Sequence, residues 1–368
     1  MKSFDRDKMI YYPLKERYSK VNIERDYIHL DAKSHTTDEN SVKRIEKIAD
    51  EIIKARENNA SVMLAFGAHT IKNGLSIVIG DLLKKGYITH LATNGAGVIH
   101  DWEFSYHGNS SEDVRANVQE GKFGTWEETG FYINLALAVG AYRGLGYATS
   151  VSAIINDNGL DIPSLVELNT VISESDATSD ANKIAAAANL RALINHYKIP
   201  TGFMEVIHPY SEYSLLAIAA KNNCNITCHP MFGHDIIYTH KVNKGISIGV
   251  TAERDFLSYV DSVSNLENGV YMSLGSAVMS PMIFEKSLSM SRNVLHQEGK
   301  QIKNCNIHVA DLAKETWDWT QGEPPQDNAA YYLRYMKTFS RMGCKVDYQS
   351  IDNRDFLILL NNALNKRS

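Results

Sequence analysis

The chain is 368 residues long, 44% hydrophobic and 22% charged, with a formal net charge of −5. That balance is the one expected of an ordinary soluble globule, and it excludes collagen-like and low-complexity chains. With charge signs mixed, no basic stripe, no apolar run of membrane length and no secretory h-region after residues 1–8, neither a nucleic-acid partner nor a membrane is indicated, and a cytoplasmic location is expected.

Residues 1–40 read as an N-terminal extension. Over 41–58 the apolar Val42, Ile45, Ile48, Ala49, Ile52 and Ile53 recur at helical spacing, which predicts an amphipathic helix. The run 61–66 predicts a buried strand that breaks at Gly67, and a second helix is predicted from His69 to just before Gly86. A strand over 88–93 then enters Asn94-Gly95-Ala96-Gly97. The stretch 103–130 is polar and without period, yet it carries Phe104, Tyr106, Phe123 and Trp126, with Trp102 at its edge. It reads as an aromatic-rich loop insertion (about 102–130) acting as an ordered cover.

Farther on, 246–250 reads as a strand leading to a helix, and 270–274 as a strand ending at Gly275. A helix follows over 278–293, and a strand over 306–310 ends at Asp311. A second aromatic-rich loop (about 316–327) holds Trp317 and Trp319, and a helix over 355–365 closes the chain. Strands alternating with helices imply βαβ units, hence an α/β doubly wound parallel sheet of Rossmann-like type. No clean linker interrupts it, so the whole of 1–368 is treated as one domain. The four cysteines are too sparse to staple such a fold and read as free thiols in a reducing compartment.

Four constellations could carry chemistry. The turns Thr93-Asn94-Gly95-Ala96-Gly97 and Gly67-Ala68-His69 follow strands, where backbone N–H groups can approach a phosphate. A plain helix-capping turn has the same appearance, and the G-x-G-x-x-G spacing is absent. Cys224, Cys228, His229, His234 and His240 fit no common zinc spacing, so no metal is expected. Asp235, in a loop after Gly233, could meet ribose hydroxyls or an amine, or could cap a helix. Lys337 lies among Tyr331, Tyr332, Tyr335 and Phe339. Aromatic cover can strip water from such an amine and free it as a nucleophile, and a snorkelling lysine is the alternative.

Together these segments resemble the deoxyhypusine synthase family, in a divergent branch. Thr93-Asn-Gly-Ala-Gly-Val-Ile-His-Asp101 is similar to the family's Thr-Ala-Gly-Gly-Val-Glu-Glu-Asp turn. His229-Pro-Met-Phe-Gly-His-Asp235 is similar to its Pro-x-x-x-Asp-Gly-Ser segment, and Ser273-Leu-Gly-Ser-Ala277 stands where its glycine-rich strand end falls. Tyr335-Met-Lys337-Thr338 takes the place of its Trp-Gly-Lys. The resemblance implies a parallel-sheet NAD enzyme, usually a homotetramer, that oxidises spermidine and passes the aminobutyl group through a lysine imine to a protein lysine. Carried over, Lys337 would form the imine; Asp235, and His100 on its own chemistry as an acid–base group, are read as further catalytic positions. Thr93, Gly95 and Asp101 would help hold NAD, and Asp235, Asp311 and Asp352 would be acidic positions near the dinucleotide or amine; Gly67, Asn94 and Gly97, from the strand-end turns, are read as cofactor-binding with them.

The chain departs from the family at several places. Ile99 and His100 replace the two glutamates of its turn, Ser280-Pro281-Met282 replaces its imidazole position, and 314–326 replaces an acidic, glycine-rich stretch. A polyamine needs carboxylates to pair with, so His69, His100 and Arg334 would suit a less cationic substrate at least as well.

The expectation is therefore an NAD-dependent, deoxyhypusine synthase-like transferase that acts on a small amine-type substrate as a homo-oligomer. Whether a protein acceptor exists is left open. The alternatives are a hydrolase or isomerase of a small phosphorylated or carbohydrate ligand, with His100 and Asp101 as acid and base, or a non-catalytic nucleotide-binding subunit.

Overall fold

A computed structural model describes residues 3–36, 38–176, 178–314 and 316–367. The chain divides into two compact units. One comprises Met1–Arg25, Val98–Ala220 and Pro230–Asp255; the other comprises Asp26–Gly97, Lys221–His229 and Phe256–Ser368.

The second unit is built on a parallel sheet of six strands: β1 Val62–Phe66, β2 His90–Thr93, β3 Asn225–Cys228, β4 Val270–Leu274, β5 Asn306–Asp311 and β6 Lys345–Ser350. Their order across the sheet is 3-2-1-4-5-6, the doubly wound Rossmann arrangement in which the winding reverses between β1 and β4. The central strands form because Val62, Leu64, Phe66, Val270, Met272 and Leu274 are all fully buried, the continuous apolar run required of a strand covered on both faces.

On one face Tyr271, Ile307, Val346 and Tyr348 pack with Phe284 and Phe339 in a single core. Helix Met279–Gln297 supplies Phe284 and Leu288, and the short helix Arg334–Ser340 supplies Met336 and Phe339. Against the other face lie Glu39–Glu57 and Asn353–Asn365. Asp38 starts the first of these by accepting the N–H groups of Asn40 and Ser41.

The first unit is mainly helical. Helix Glu127–Arg143 is apolar nearly all round, with Thr129, Gly130 and every residue from Ile133 to Tyr142 buried, and Gly144 ends it in the left-handed region at φ 86°. The N-terminal segment is docked within this unit. Arg6 donates to the Tyr238 carbonyl at 2.9 Å and to Asn243 at 2.8 and 3.1 Å, and strand Ser19–Asn22 pairs antiparallel with Asn109–Glu112.

Three expectations are corrected. Residues 246–250 are helical, inside Gly245–Ser264, because their alternating β-branched residues fall within a longer helical pattern. The stretch 103–130 is not a loop: it holds the end of helix Gly95–His107, strand Asn109–Glu112 and helix Val114–Gln119. Its aromatics Trp102, Phe104 and Trp126 are buried, so packing supplies the order that sequence period did not. The cysteines are not all free, since Cys305 and Cys344 form a disulfide that ties the residues preceding β5 and β6, while Cys224 and Cys228 remain thiols. Among the described residues no helix is long and apolar enough to cross a membrane.

Candidate functional site at the carboxyl end of the sheet

A cavity of about 220 Å³ opens at the carboxyl ends of β1, β4, β5 and β6. His69, Asn73, Gly275, Asp311, Asp352 and Asn353 contribute to its wall. This is the crevice where open α/β sheets place their ligands, at the point where strand order reverses.

The floor is made of backbone. The Gly67 N–H donates to the Leu274 carbonyl at 3.1 Å and the Gly275 N–H to Ala310 at 2.9 Å, so the ladder continues one residue past the strands. A Cβ on Gly67 would run into the Gly275 carbonyl oxygen, so glycine is required there for the two turns to meet. Gly275 itself sits at φ +53° with open space where a Cβ would project. Three residues later Val278 precedes helix Met279–Gln297 without capping it, and the Ser276 hydroxyl caps the helix start instead by accepting the Ser280 N–H at 3.2 Å.

The walls are polar. Asp311 uses Oδ1 to accept the N–H groups of Leu312 at 2.7 Å and Ala313 at 3.3 Å. Asp352 caps the last helix through the Arg354 N–H at 2.8 Å and pairs with the Arg354 guanidinium at 3.0 Å. Burial acts to raise its carboxyl, but the bonds and charge of Arg354 prevail and hold it below the ordinary value. Asn73 donates to Asn353 at 2.8 Å, tying the first turn to the last helix. Burial, reinforced by Lys72, lowers the His69 imidazole, which favours its neutral form.

Of the cofactor positions read from sequence, Asp311 and Asp352 line this cavity, and Gly67 lies behind it against Gly275. The turn after β2 is accounted for by packing. Thr93 donates to the Phe66 carbonyl at 3.1 Å, Asn94 accepts the Gly97 N–H at 2.9 Å through its side chain, and a Cβ on Gly97 would overlap the Thr93 hydroxyl. Gly95 opens the helix that this cap starts. None of the four lines the cavity.

Asp101, His100 and Asp235 belong to the other unit. Asp101 is a buried cap: it accepts the Ser214 hydroxyl at 2.5 Å and the N–H groups of Leu215 and Leu216 at 2.7 and 3.2 Å. His100 meets the Ser110 hydroxyl at 2.7 Å. Asp235 precedes a short 3-10 turn and is half-buried.

Burial pushes the Asp101 carboxyl up to about 6 despite its donors. Against an unfolded value of about 3.9, this favours the fold at low pH. That stabilisation is lost as pH rises through about 6, at a cost of about 3 kcal/mol. The variant Asp101→Asn is therefore expected to gain on the wild type by about that amount between pH 4 and pH 7, measured by urea unfolding across the window. A constant difference at all pH values would contradict the assignment.

Lys337 lies outside the cavity wall. Its ammonium sits 3.3 Å above the Tyr331 ring and 3.5 Å from the Glu323 carboxylate, which also binds Arg341 at 2.6 Å. Among the described residues no group of three His, Cys, Asp or Glu side chains could hold a metal.

No family model and no curated protein matches this sequence. Solved structures similar to it in fold include three enzymes or candidate enzymes. ArgZ, an arginine dihydrolase of the ornithine–ammonia cycle in cyanobacteria, is 13% identical over 88% of this chain and 33% of its own, with a TM-score of 0.42. AgrE, solved with ornithine and NAD+, is 14% identical over 90% of this chain and 34% of its own, with a TM-score of 0.45. A candidate deoxyhypusine synthase from Entamoeba histolytica is 9% identical over 90% of both chains, with a TM-score of 0.40. The chain thus spans about a third of the length of ArgZ and AgrE.

His69, Asn73 and Asn353 were not among the site positions read from sequence, although His69 was noted as a strand-end imidazole. Asn353 gave no signal, because its role depends on β6 ending beside β5, as the Ser350–Asp311 register shows.

Proposed function

We propose that this protein is an NAD-dependent enzyme whose dinucleotide binds at the carboxyl-end crevice and whose substrate is a small amine. The observation that carries the reading is the reversal of strand order at β1 and β4, with Gly67 and Gly275 in contact at the reversal. The Gly67 and Gly275 N–H groups are spent on Leu274 and Ala310, but glycine at both positions keeps side chains off the turns, so a pyrophosphate could approach the backbone closely there. Asp311 and Asp352 carry carboxylates suited to ribose hydroxyls or to a substrate ammonium.

The cavity is smaller than the roughly 300–1,000 Å³ of most small-molecule sites, so a dinucleotide would fill it with one portion and continue along the strand ends. Bound NAD supplies a hydride acceptor. The chain's part is to orient it, and a neutral His69 is suited to take the proton released when an amine or alcohol carbon is oxidised.

Hydride transfer does not require an imine, and the geometry around Lys337 gives the imine step no support beyond its aromatic cover. A Lys337→Arg protein is expected to keep dinucleotide binding unchanged. If a substrate adduct were trapped on that lysine by borohydride, the finer, deoxyhypusine synthase-like reading would gain its missing step.

The test is an NADH fluorescence titration of the wild type and of Asp352→Ala. Saturable binding that weakens about tenfold or more in the variant is expected, equivalent to about 1.4 kcal/mol. No response in the wild type would remove the proposal.

A further inference from the structure

The sheet has a second opening, at the other end of its outer strands and independent of the NAD reading. A parallel sheet covered by helices is normally apolar on both faces. On the core face β5 and β6 obey this rule through Ile307, Val309, Val346 and Tyr348. The opposite face does not.

Register aligns Val62, Val270, Asn306 and Lys345 in one row across β1, β4, β5 and β6, and Leu64, Met272, His308 and Asp347 in the next. Each row is apolar in the middle of the sheet and polar at its edge. The polar corner faces helix Glu39–Glu57 across a cavity of about 570 Å³, whose wall includes Lys47, Glu51, Lys303, His308, Lys345 and Asp347. Four side chains from edge strand β6 and its neighbour β5, Asn306, His308, Lys345 and Asp347, have thus been turned from core material into lining.

Charge decides what the lining suits. Both carboxylates are already engaged. Glu51 accepts from His308 Nε2 at 2.6 Å and lies 3.7 Å from Lys47, and Asp347 lies 3.7 Å from Arg44. Burial would raise the Glu51 carboxyl, yet the His308 bond and the nearby charges of His308, Lys47 and Lys345 keep it below the ordinary range, so it stays ionised and occupied. Lys303 and Lys345 have no ion pair among the described residues, although both line the cavity. Deeper in, His308 is 3% exposed and its Nδ1 is a buried polar atom with no hydrogen-bond partner. An unpaired nitrogen at that depth is costly unless something polar meets it.

We propose that this cavity is a second ligand site, taking a small polyanion, a phosphate ester or a polycarboxylate, between Lys303, Lys345 and Lys47. Lysines act there as compact point charges, and His308 contributes a polar wall group held in place by Glu51. The site lies at the amino ends of β5 and β6, whereas the dinucleotide crevice lies at their carboxyl ends, so the two sites have no lining residue in common.

Calorimetric titration with sodium pyrophosphate and, separately, citrate tests this at low ionic strength, against chloride at matched ionic strength. The wild type is expected to bind at least one of the two with saturation. Lys303→Ala/Lys345→Ala should weaken that binding tenfold or more, and Lys303→Arg/Lys345→Arg should restore it. Both lysines are exposed, so the variants are expected to fold, which circular dichroism checks. Tighter binding of pyrophosphate identifies a phosphate ester as the ligand class, and tighter binding of citrate a polycarboxylate. Three results would overturn the proposal: no binding of either probe, equal binding by the alanine variant, or an equal response to chloride. NADH titration of the alanine variant should match the wild type, which keeps this outcome separate from that of the crevice.

Discussion

Replacing Arg17 by alanine is expected to destabilise the protein by about 3–5 kcal/mol. Arg17 and Glu103 form a two-pronged pair at 2.6 and 2.7 Å, with side chains only 2% and 1% exposed. Ser110 and Thr129 donate their hydroxyls to the same carboxylate, so all its acceptor positions point at protein rather than water. Burial alone would raise the Glu103 carboxyl, but the Arg17 charge and hydrogen bonds outweigh it and leave it below the ordinary value. In the wild type the pair's contribution is therefore present above the ordinary carboxylate range and is lost as pH falls through the depressed value.

Arg17→Ala inverts that dependence. The carboxyl loses its counter-charge while staying buried, so it would have to be protonated to remain inside. Urea unfolding at pH 5 and pH 8 should show the variant closer to the wild type at the lower pH. Arg17→Met/Glu103→Gln, which removes both charges, should cost less than the single change. If the single variant matched the wild type at both pH values, the pair would not be the anchor of residues 3–25.

The second large effect is expected at Gly67. Its missing Cβ is what allows the turn after β1 to lie on the turn after β4, and the atom in the way is the Gly275 backbone oxygen, not a side chain able to rotate aside. Gly67→Ala must therefore move one turn and strain the Gly67 N–H bond to Leu274. A destabilisation of about 1–3 kcal/mol follows from overpacking, together with a loss of NADH affinity of more than tenfold. Gly275→Asn provides the contrast. Its Cβ would meet open space and asparagine tolerates positive φ, so its stability should fall less than that of Gly67→Ala.

Much of the sheet was legible from sequence because β1 is an uninterrupted apolar run, and β4 and β5 are apolar apart from Ser273 and from Asn306, His308 and Asp311, and each of the three ends at glycine or aspartate. β3 was hidden, since Asn225-Ile-Thr-Cys228 has too few apolar residues to stand out and its cysteine drew attention as a metal ligand. β6 was hidden for a different reason. Lys345, Asp347 and Gln349 alternate with Val346 and Tyr348, the pattern of a half-wet strand, because one of its faces lines the amino-end cavity.

At the site, Gly67, Asp311 and Asp352 were legible by their position after strands. Asp101 and Asn94 were legible as conspicuous residues but not as caps, because a carboxylate or amide that binds a helix start has the same identity and place as one that binds a ligand. Only the neighbours separate the two roles, and for Asp101 these come from Ser214, Leu215 and Leu216, more than a hundred residues away.

Hydrogen–deuterium exchange with and without saturating NAD tests the central claim most directly. Binding at the strand-order reversal predicts slowed exchange in peptides covering 66–74, 273–280, 310–313 and 350–354, with little change elsewhere in the sheet. Unchanged exchange in all four segments, or protection confined to the unit containing Asp101 and His100, would contradict it.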